Sequence, residues 1–164
     1  MSVPPARRAY VALGANQGQP EAQVNAALEA LDALPDTRLV ARSALYRTPP
    51  WGVLDQADFI NAVAILDTRL RPAALLDGLL AIERRAGRLR RQRWGPRVLD
   101  LDLLHYEGER SADPGLILPH PHLAQRAFVL LPLAELAPDL DIPGQGRVGD
   151  LLAGVDCSGI ERLG

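Results

Sequence analysis

The chain has 164 residues, of which 48% are hydrophobic and 23% charged, and a formal net charge of -2. That length suits one hydrophobic core, so we expect a single domain over residues 1–164. The acidic balance argues against a general nucleic-acid binder, and no apolar run approaches the roughly 20 residues that a membrane span requires. The single cysteine, Cys157, cannot form an intrachain disulfide, and we expect a cytoplasmic location.

The pattern of hydrophobic residues predicts secondary structure in the order β-α-β-β-α-β. This is the order of a ferredoxin-like α+β fold, an antiparallel sheet flanked by helices, here with C-terminal additions that include a short helix ending near residue 137. In chain order, the predicted elements are a strand at 8–14, a helix at 20–34, strands at 37–46 and 59–68, a helix at 72–87 and a strand at 99–106.

The last of these strands alternates leucine with aspartate. Because successive side chains of a strand point to opposite faces, Asp100 and Asp102 share one face and lie about 7 Å apart. Two like charges on one face repel, so the arrangement is unfavourable unless cations neutralise it. Mg²⁺ is bound by one or two carboxylates together with nucleotide phosphates, so the pair predicts a metal site. A solvated face of an edge strand is the alternative.

A group of guanidinium side chains lies directly upstream of the aspartates. We expect Gly95 and Pro96 to bend the chain so that neighbouring arginines and Trp94 converge near the carboxylates. Metals and arginines around the phosphate oxygens are what phosphoryl transfer requires. A nucleic-acid-binding patch and a metal-dependent phosphohydrolase remain alternatives. The chain contains no lysine, and the arginines of this segment are Arg84, Arg85, Arg88, Arg90, Arg91, Arg93 and Arg97.

The predicted third strand places an amide beside an aromatic ring, because Phe59, Asn61, Val63 and Ile65 share one face. A buried asparagine must be hydrogen-bonded, and its donor and acceptor can read the edge of a pteridine or purine. Satisfaction of Asn61 by neighbouring backbone is the alternative.

The turn at 14–18 and the three histidines indicate a function less clearly. The turn at 14–18 lies between a strand and a helix but lacks the spacing of a phosphate-binding loop. His120 lies between two prolines and could reach a phosphate. A zinc site formed by His105, His120 and His122 is weakly supported, since no cysteine or glutamate completes it.

Together these stretches resemble the 6-hydroxymethyl-7,8-dihydropterin pyrophosphokinase family of folate biosynthesis. The run from Arg93 to Leu104 is similar to the family signature along its whole length. Further similar stretches are Gly14-Ala15-Asn16, Tyr46-Arg47-Thr48-Pro49-Pro50, Phe59-Ile60-Asn61-Ala62, Pro119-His120 and the run from Arg126 to Leu133.

The resemblance implies transfer of pyrophosphate from ATP to the hydroxymethyl group of the pterin, giving AMP and the pterin diphosphate. It implies two Mg²⁺ ions that accompany ATP, with Asp100 and Asp102 as metal ligands and, together with Arg88 and Arg97, as catalytic residues. A monomer without nucleic-acid or membrane partners is expected. The implied ATP-binding residues are Glu83, Arg88, Arg90, Trp94, Arg97, His120 and Arg126. The implied pterin-binding residues are Gly14, Thr48, Pro49, Pro50, Trp51, Phe59, Asn61, Trp94 and Phe128.

Overall fold

The computed structural model of the protein describes residues 5–50, 57–87 and 98–163. Its first seven elements are the strand β1 (Arg7–Ala15), the helix α1 (Pro20–Asp32), the strands β2 (Thr37–Arg42), β3 (Leu45–Thr48) and β4 (Phe59–Thr68), the helix α2 (Pro72–Arg85) and the strand β5 (Asp100–Tyr106). The elements that follow are β6 (Ser111–Asp113), β7 (Leu116–Leu118), a 3₁₀ turn (Leu123–Gln125), α3 (Ala127–Leu136), β8 (Asp141–Ile142), β9 (Gly146–Arg147), α4 (Val148–Ala153) and β10 (Glu161–Leu163).

The main sheet has the strand order β10-β3-β4-β1-β5, and β2 also pairs with β4. All of these pairings are antiparallel. If β2 and β3 are taken as one interrupted strand, the core has the predicted βαββαβ order, and the α+β fold class is confirmed. No helix in the described ranges is long and apolar enough to span a membrane.

The second strand was predicted as one continuous element over 37–46, and that prediction is wrong at Ser43. The amide of Ser43 donates to the Val63 carbonyl at 2.9 Å, and the Ser43 hydroxyl accepts from the Val63 amide at 2.9 Å. At this position the Ser43 hydroxyl, and not a backbone carbonyl, accepts the hydrogen bond from β4, which interrupts the backbone ladder. β2 and β3 therefore pair with β4 as two separate strands. The other predicted strands and helices differ from the observed ones only at their ends.

The sheet is buried on both faces by alternate residues of its central strands. On one face, Val11 and Leu13 of β1 pack with α1 and α2, whose buried side chains include Leu31 and Leu79. The opposite face is covered by α3. There Tyr10, Ala12 and Val63 pack with Leu130 and Leu133 of that helix. The pleat therefore divides the buried apolar residues of β1 and β4 between two cores.

Glu135 of α3 joins this helix to the edge of the sheet. Its carboxylate accepts the Tyr46 hydroxyl at 2.6 Å and the Ala44 amide at 3.1 Å, and it lies 3.6 Å from the Arg162 guanidinium. Burial, with the hydrogen bond to Glu135 as the next contribution, raises the pKa of Tyr46 to about 12. Tyr46, which is only 4% exposed, is therefore neutral, and its hydroxyl connects β3 to α3.

We predict that Glu135→Ala lowers the free energy of unfolding by about 1–3 kcal/mol, because the buried Tyr46 hydroxyl loses its acceptor. Urea denaturation of the wild type, Glu135→Ala, Tyr46→Phe and the double variant measures the coupling. The loss from Glu135→Ala should be smaller in the Tyr46→Phe background. Additive losses would show that the hydrogen bond contributes nothing to stability.

Candidate active site

Three predicted site residues lie in one row across the sheet. In the register, Gly14 of β1 is the partner of Asn61 on β4 and of Asp100 on β5. The next row consists of Val63, Ala12 and Asp102. Cross-strand partners point to the same face, which here is the face covered by α3. The predicted faces of the amide and of the two carboxylates are therefore confirmed.

The Asn61 amide is fixed from two sides. Its Nδ2 donates to the Thr48 Oγ1 at 2.7 Å, and both side chains are buried. Its Oδ1 lies over Gly14, where an added Cβ would be only 2.7 Å from that oxygen. Glycine is thus required at position 14 for close approach. The partner of this amide N–H is a threonine hydroxyl and not a backbone group. That Asn61 reads the edge of a ligand stays a prediction.

Asp100 and Asp102 are half-buried on the α3 face, whereas Leu101 and Leu103 between and beside them are buried in the opposite core. An oxygen of Asp102 lies 4.0 Å from the Arg126 guanidinium. The carboxylate of Glu83 accepts the Leu101 amide at 2.7 Å and is itself buried. Glu83 therefore anchors the strand segment between the aspartates. Its predicted contact with ATP stays a prediction.

His120 lies beside the aspartates because its amide donates to the Leu104 carbonyl of β5 at 2.8 Å. Burial, with repulsion from Arg126 and His122, lowers the pKa of His120 to about 4, although Asp100 acts in the opposite direction. The Nδ1 accepts the His122 amide at 3.2 Å. The neutral ring must then carry its proton on Nε2, where it can donate to an anion.

Arg126 and Phe128 lie at the start of α3, next to this histidine. The guanidinium carbon of Arg126 is 5.8 Å from the centroid of the Phe128 ring. Since Arg126 also approaches Asp102, this one guanidinium lies between the Phe128 ring and the carboxylate on β5.

The zinc alternative gains no support. His105 is buried and stacks on Tyr10, with ring centroids 5.6 Å apart. Within the described ranges, no group of three or more histidine, cysteine or acidic side chains could hold a metal ion.

A cavity of about 510 Å³ adjoins the predicted pterin residues. Thr48, Pro49, Pro50 and Phe128 form one part of its lining, and the segment 154–160 forms another. Sequence reasoning missed this second wall, because nothing in the local pattern of that segment indicates its distant partner.

Sequence reasoning also missed Asn16, a buried residue whose amide Nδ2 donates to the Ala57 carbonyl at 2.9 Å. This bond ties the turn after β1 to the start of β4. The similar stretch Gly14-Ala15-Asn16 was the available signal.

The predicted arginine segment is described only at its start, where Arg84 and Arg85 are exposed in the last turn of α2. The predicted bend at Gly95 and Pro96 lies outside the described ranges and stays a prediction. The predicted side chains that also lie outside these ranges, and so stay predictions, are Trp51, Arg88, Arg90, Arg91, Arg93, Trp94 and Arg97.

Comparison with known proteins decides the family. Residues 10–138 match the sequence profile of 7,8-dihydro-6-hydroxymethylpterin-pyrophosphokinase (HPPK). The chain belongs to the HPPK family. A 2-amino-4-hydroxy-6-hydroxymethyldihydropteridine pyrophosphokinase of Methylorubrum extorquens is 54% identical over 95% of this chain and 98% of its own length. One from Pseudomonas aeruginosa is also 54% identical, over 96% of this chain and 97% of its own.

The fold agrees with that assignment. A crystal structure of Plasmodium falciparum HPPK-DHPS with pteroate superposes with a TM-score of 0.70 over 91% of this chain, at 13% sequence identity. This chain spans 42% of the length of that protein.

We predict that His120 of this HPPK-family chain titrates with a midpoint of about 4 in EDTA, measured by NMR of its ring protons. The unfolded histidine titrates near ~6.5, so between these values only the unfolded state takes up the proton. The contribution of the neutral His120 ring to the free energy of unfolding is therefore fully present above the unfolded pKa, and it is lost as the pH falls towards 4.

His120→Asn both assigns the resonance and should weaken this acid dependence. Added inorganic triphosphate should raise the midpoint, because a nearby polyanion favours the imidazolium. A midpoint near ~6.5 that triphosphate does not change would contradict the geometry of the site.

Proposed function

We propose that this chain transfers the pyrophosphoryl group of ATP to the hydroxymethyl group of 6-hydroxymethyl-7,8-dihydropterin, releasing AMP, in folate biosynthesis. Membership of the pyrophosphokinase family supports the reaction. The observation that carries the assignment of residues is the row Asn61, Gly14 and Asp100. In this row an amide, which can hydrogen-bond the edge of a heterocycle, and a carboxylate, which attracts cations, lie on the two strands that flank β1.

The spacing of this row suits a flat two-ring substrate. Neighbouring strands are about 4.8 Å apart, so the backbones carrying Asn61 and Asp100 are separated by about 10 Å across β1. Gly14 lies between them without a side chain, and this lets the Asn61 side-chain oxygen lie over β1, on the side of Asp100. A pterin whose polar edge meets Asn61 would therefore extend its hydroxymethyl group towards the carboxylates.

The amide and two rings form the proposed pterin site. Asn61 is already oriented by Thr48, so its remaining hydrogen-bonding capacity is available at low entropic cost. Phe59 pairs with Thr48 in the register, and Phe128 approaches from α3; both rings are half-buried. We assign them to the two faces of the pterin, as the family resemblance implies, since aromatic side chains stack on flat rings.

The residues of the ATP site are proposed on the opposite side of the row. His120 offers an Nε2 proton, and Arg126 offers a guanidinium that already approaches Asp102. Both can stabilise charge on phosphate oxygens as the β-phosphorus is attacked. The resemblance adds Arg88 and Arg97, together with Glu83, Arg90 and Trp94.

The carboxylates fit Mg²⁺ that arrives with the nucleotide. Asp100 and Asp102 are two half-buried oxygen donors on one strand face. No third metal-binding side chain joins them in the part of the chain that the structure describes, so phosphate oxygens and water would complete the shell. We propose two ions, which when bound would neutralise the phosphates and polarise the substrate hydroxyl.

The reaction we propose is an in-line displacement. The hydroxymethyl oxygen forms a bond to the β-phosphorus and its proton is released to water. The bond between that phosphorus and the oxygen bridging to the α-phosphorus breaks, so AMP leaves. Asn61 and the aromatic side chains orient the pterin, so that its hydroxymethyl oxygen is held close to the β-phosphorus. His120 and Arg126 hold the departing charge.

We further propose a single domain over residues 1–164 that acts as a cytoplasmic monomer on two small molecules, without nucleic-acid or membrane partners. Relatives that match along nearly their whole length support the single domain. The net charge of -2 supports the absence of a nucleic-acid partner. The lone cysteine supports a reducing compartment.

The test is to incubate the protein with MgATP, with and without 6-hydroxymethyl-7,8-dihydropterin, and to measure AMP. AMP should form only when the pterin is present. Asp102→Asn, which keeps the shape and removes the charge, should lower turnover by about 10²–10³-fold. Its melting temperature in EDTA should be unchanged or slightly higher, because repulsion between the carboxylates is relieved.

Other products would decide against the proposal. ADP or phosphate formed without pterin would indicate a phosphohydrolase. Full activity of Asp102→Asn with a large loss of melting temperature would show that this aspartate is structural.

The assignment of Asn61 predicts that Asn61→Ala weakens pterin binding by about 1–3 kcal/mol, because a hydrogen-bonding partner of the ring edge is lost. Calorimetry with the pterin and with a non-hydrolysable ATP analogue measures both affinities. Thr48→Ser keeps the hydroxyl that orients the amide and should change pterin affinity much less. Equal losses for pterin and nucleotide would remove Asn61 from the pterin site.

A further inference from the structure

The last ten described residues return to the strand that carries part of the proposed pterin site. After α4, residues 154–160 form a turn, and β10 then pairs antiparallel with β3. Leu163 lies opposite Leu45, and Glu161 lies opposite Arg47. Thr48, whose hydroxyl orients the Asn61 amide, is the next residue of β3.

β10 supplies the second strand neighbour of β3. The four residues of β3 share three register pairs with β4, and Glu135 of α3 binds this edge through Tyr46. The segment that follows begins with Pro49 and Pro50, which have no amide N–H to donate to a ladder. Packing must therefore hold Pro49 and Pro50 in place.

The C-terminal turn provides such packing at Gly159. An added Cβ at Gly159 would lie 3.2 Å from the Cγ and 3.7 Å from the Cδ of Pro49. The backbone there has a φ of +82°, which favours glycine. Asp156 fixes the preceding part of the turn, since its carboxylate accepts the Ser158 amide at 2.9 Å and the Ser158 hydroxyl at 2.5 Å.

The strand beyond the turn is attached at several points. Glu161 forms an ion pair with Arg47 at 3.1 Å, and Arg162 lies 3.6 Å from Glu135, which also accepts the Tyr46 hydroxyl. Leu163 packs against the core formed with α1 and α2. These contacts make the turn a fixed wall of the cavity that Thr48, Pro49 and Phe128 also line.

We propose that the C-terminal segment, residues 154–163, positions Thr48 and Pro49 and thereby determines the affinity for the pterin; this inference rests on the proposed function. Gly159 and Ser158 are positioning residues that act through Pro49 and the turn. We expect the segment to change the affinity for the pterin and not that for ATP. The described groups that we assign to the phosphates and their metal ions are Asp100 and Asp102 on β5, and His120 and Arg126, which precede α3. No contact with the nucleotide is needed.

Gly159→Ala is the test, because the new methyl group would press on Pro49. Gly108→Ala is the matched control. Gly108 also has a positive φ, +78°, but a Cβ there would meet only the far end of the Arg7 side chain, at 3.5 Å. Both variants should lose similar melting temperature, since both place alanine in the left-handed region.

Of the two glycine variants, Gly159→Ala alone should raise the KM and Kd for 6-hydroxymethyl-7,8-dihydropterin, by roughly tenfold, since small displacements at a binding edge carry large penalties. The Kd for a non-hydrolysable ATP analogue should be unchanged in both variants. Ser158→Ala, which removes one hydrogen bond of the turn, should give a smaller change in the same direction, and it keeps the test decisive if Gly159→Ala does not fold.

The outcomes separate the two proposals. If the wild type forms AMP with pterin but Gly159→Ala and Ser158→Ala keep wild-type pterin affinity, or lose pterin and nucleotide affinity equally, this inference fails and the proposed function stands. If the wild type neither binds the pterin nor forms AMP with it, both fail.

Discussion

The register of β1 between β4 and β5 is the constraint on which the rest of the site depends. β1 and β4 pair continuously from Arg7 opposite Thr68 to Ala15 opposite Ile60. Because the side-chain period of a strand is two, a slip of one residue would move Asn61 or the aspartates to the opposite face. Both faces of the sheet are covered by packed apolar side chains, so a slip would also exchange side chains of different size between the two cores. The packing that stabilises the fold therefore fixes the geometry of the site.

The site row itself opposes stability. Glycine inside a strand costs about 0.5–1 kcal/mol relative to alanine, and two aspartates on one strand face repel. A buried amide is tolerated only with partners, which Thr48 supplies for Asn61. These costs are concentrated at one end of the central strands, whereas Ala9, Val11 and Leu66 along the same strands are fully buried and apolar. The residues that disfavour a strand are thus concentrated at the end of the sheet where we propose the active site.

α3 connects the two halves of the proposed reaction. Its first turn carries Phe128 on the pterin side and is preceded by Arg126, which approaches Asp102 on the phosphate side. Its last turn carries Glu135, which is bound to β3 through Tyr46 and lies close to β10 through Arg162. A displacement of this helix would therefore move the aromatic wall relative to Asn61. The C-terminal strand and α3 support the same edge of the sheet from different sides.

By itself the sequence determined the α+β class, the side-chain faces of the strands around Asn61 and Asp100, and the family, because periodicity and contiguous motifs are encoded in neighbouring residues. It indicated the amide as a reader of a heterocycle but could not supply its hydrogen-bond partner, Thr48, which lies on another strand. Only the tertiary structure decided that Ser43 divides the second strand, that Glu83 anchors the acidic strand, and that the segment 154–160 lines the cavity. Each of these is a contact between residues distant in the chain, formed by a hydroxyl, a carboxylate or a turn whose local sequence is compatible with many partners.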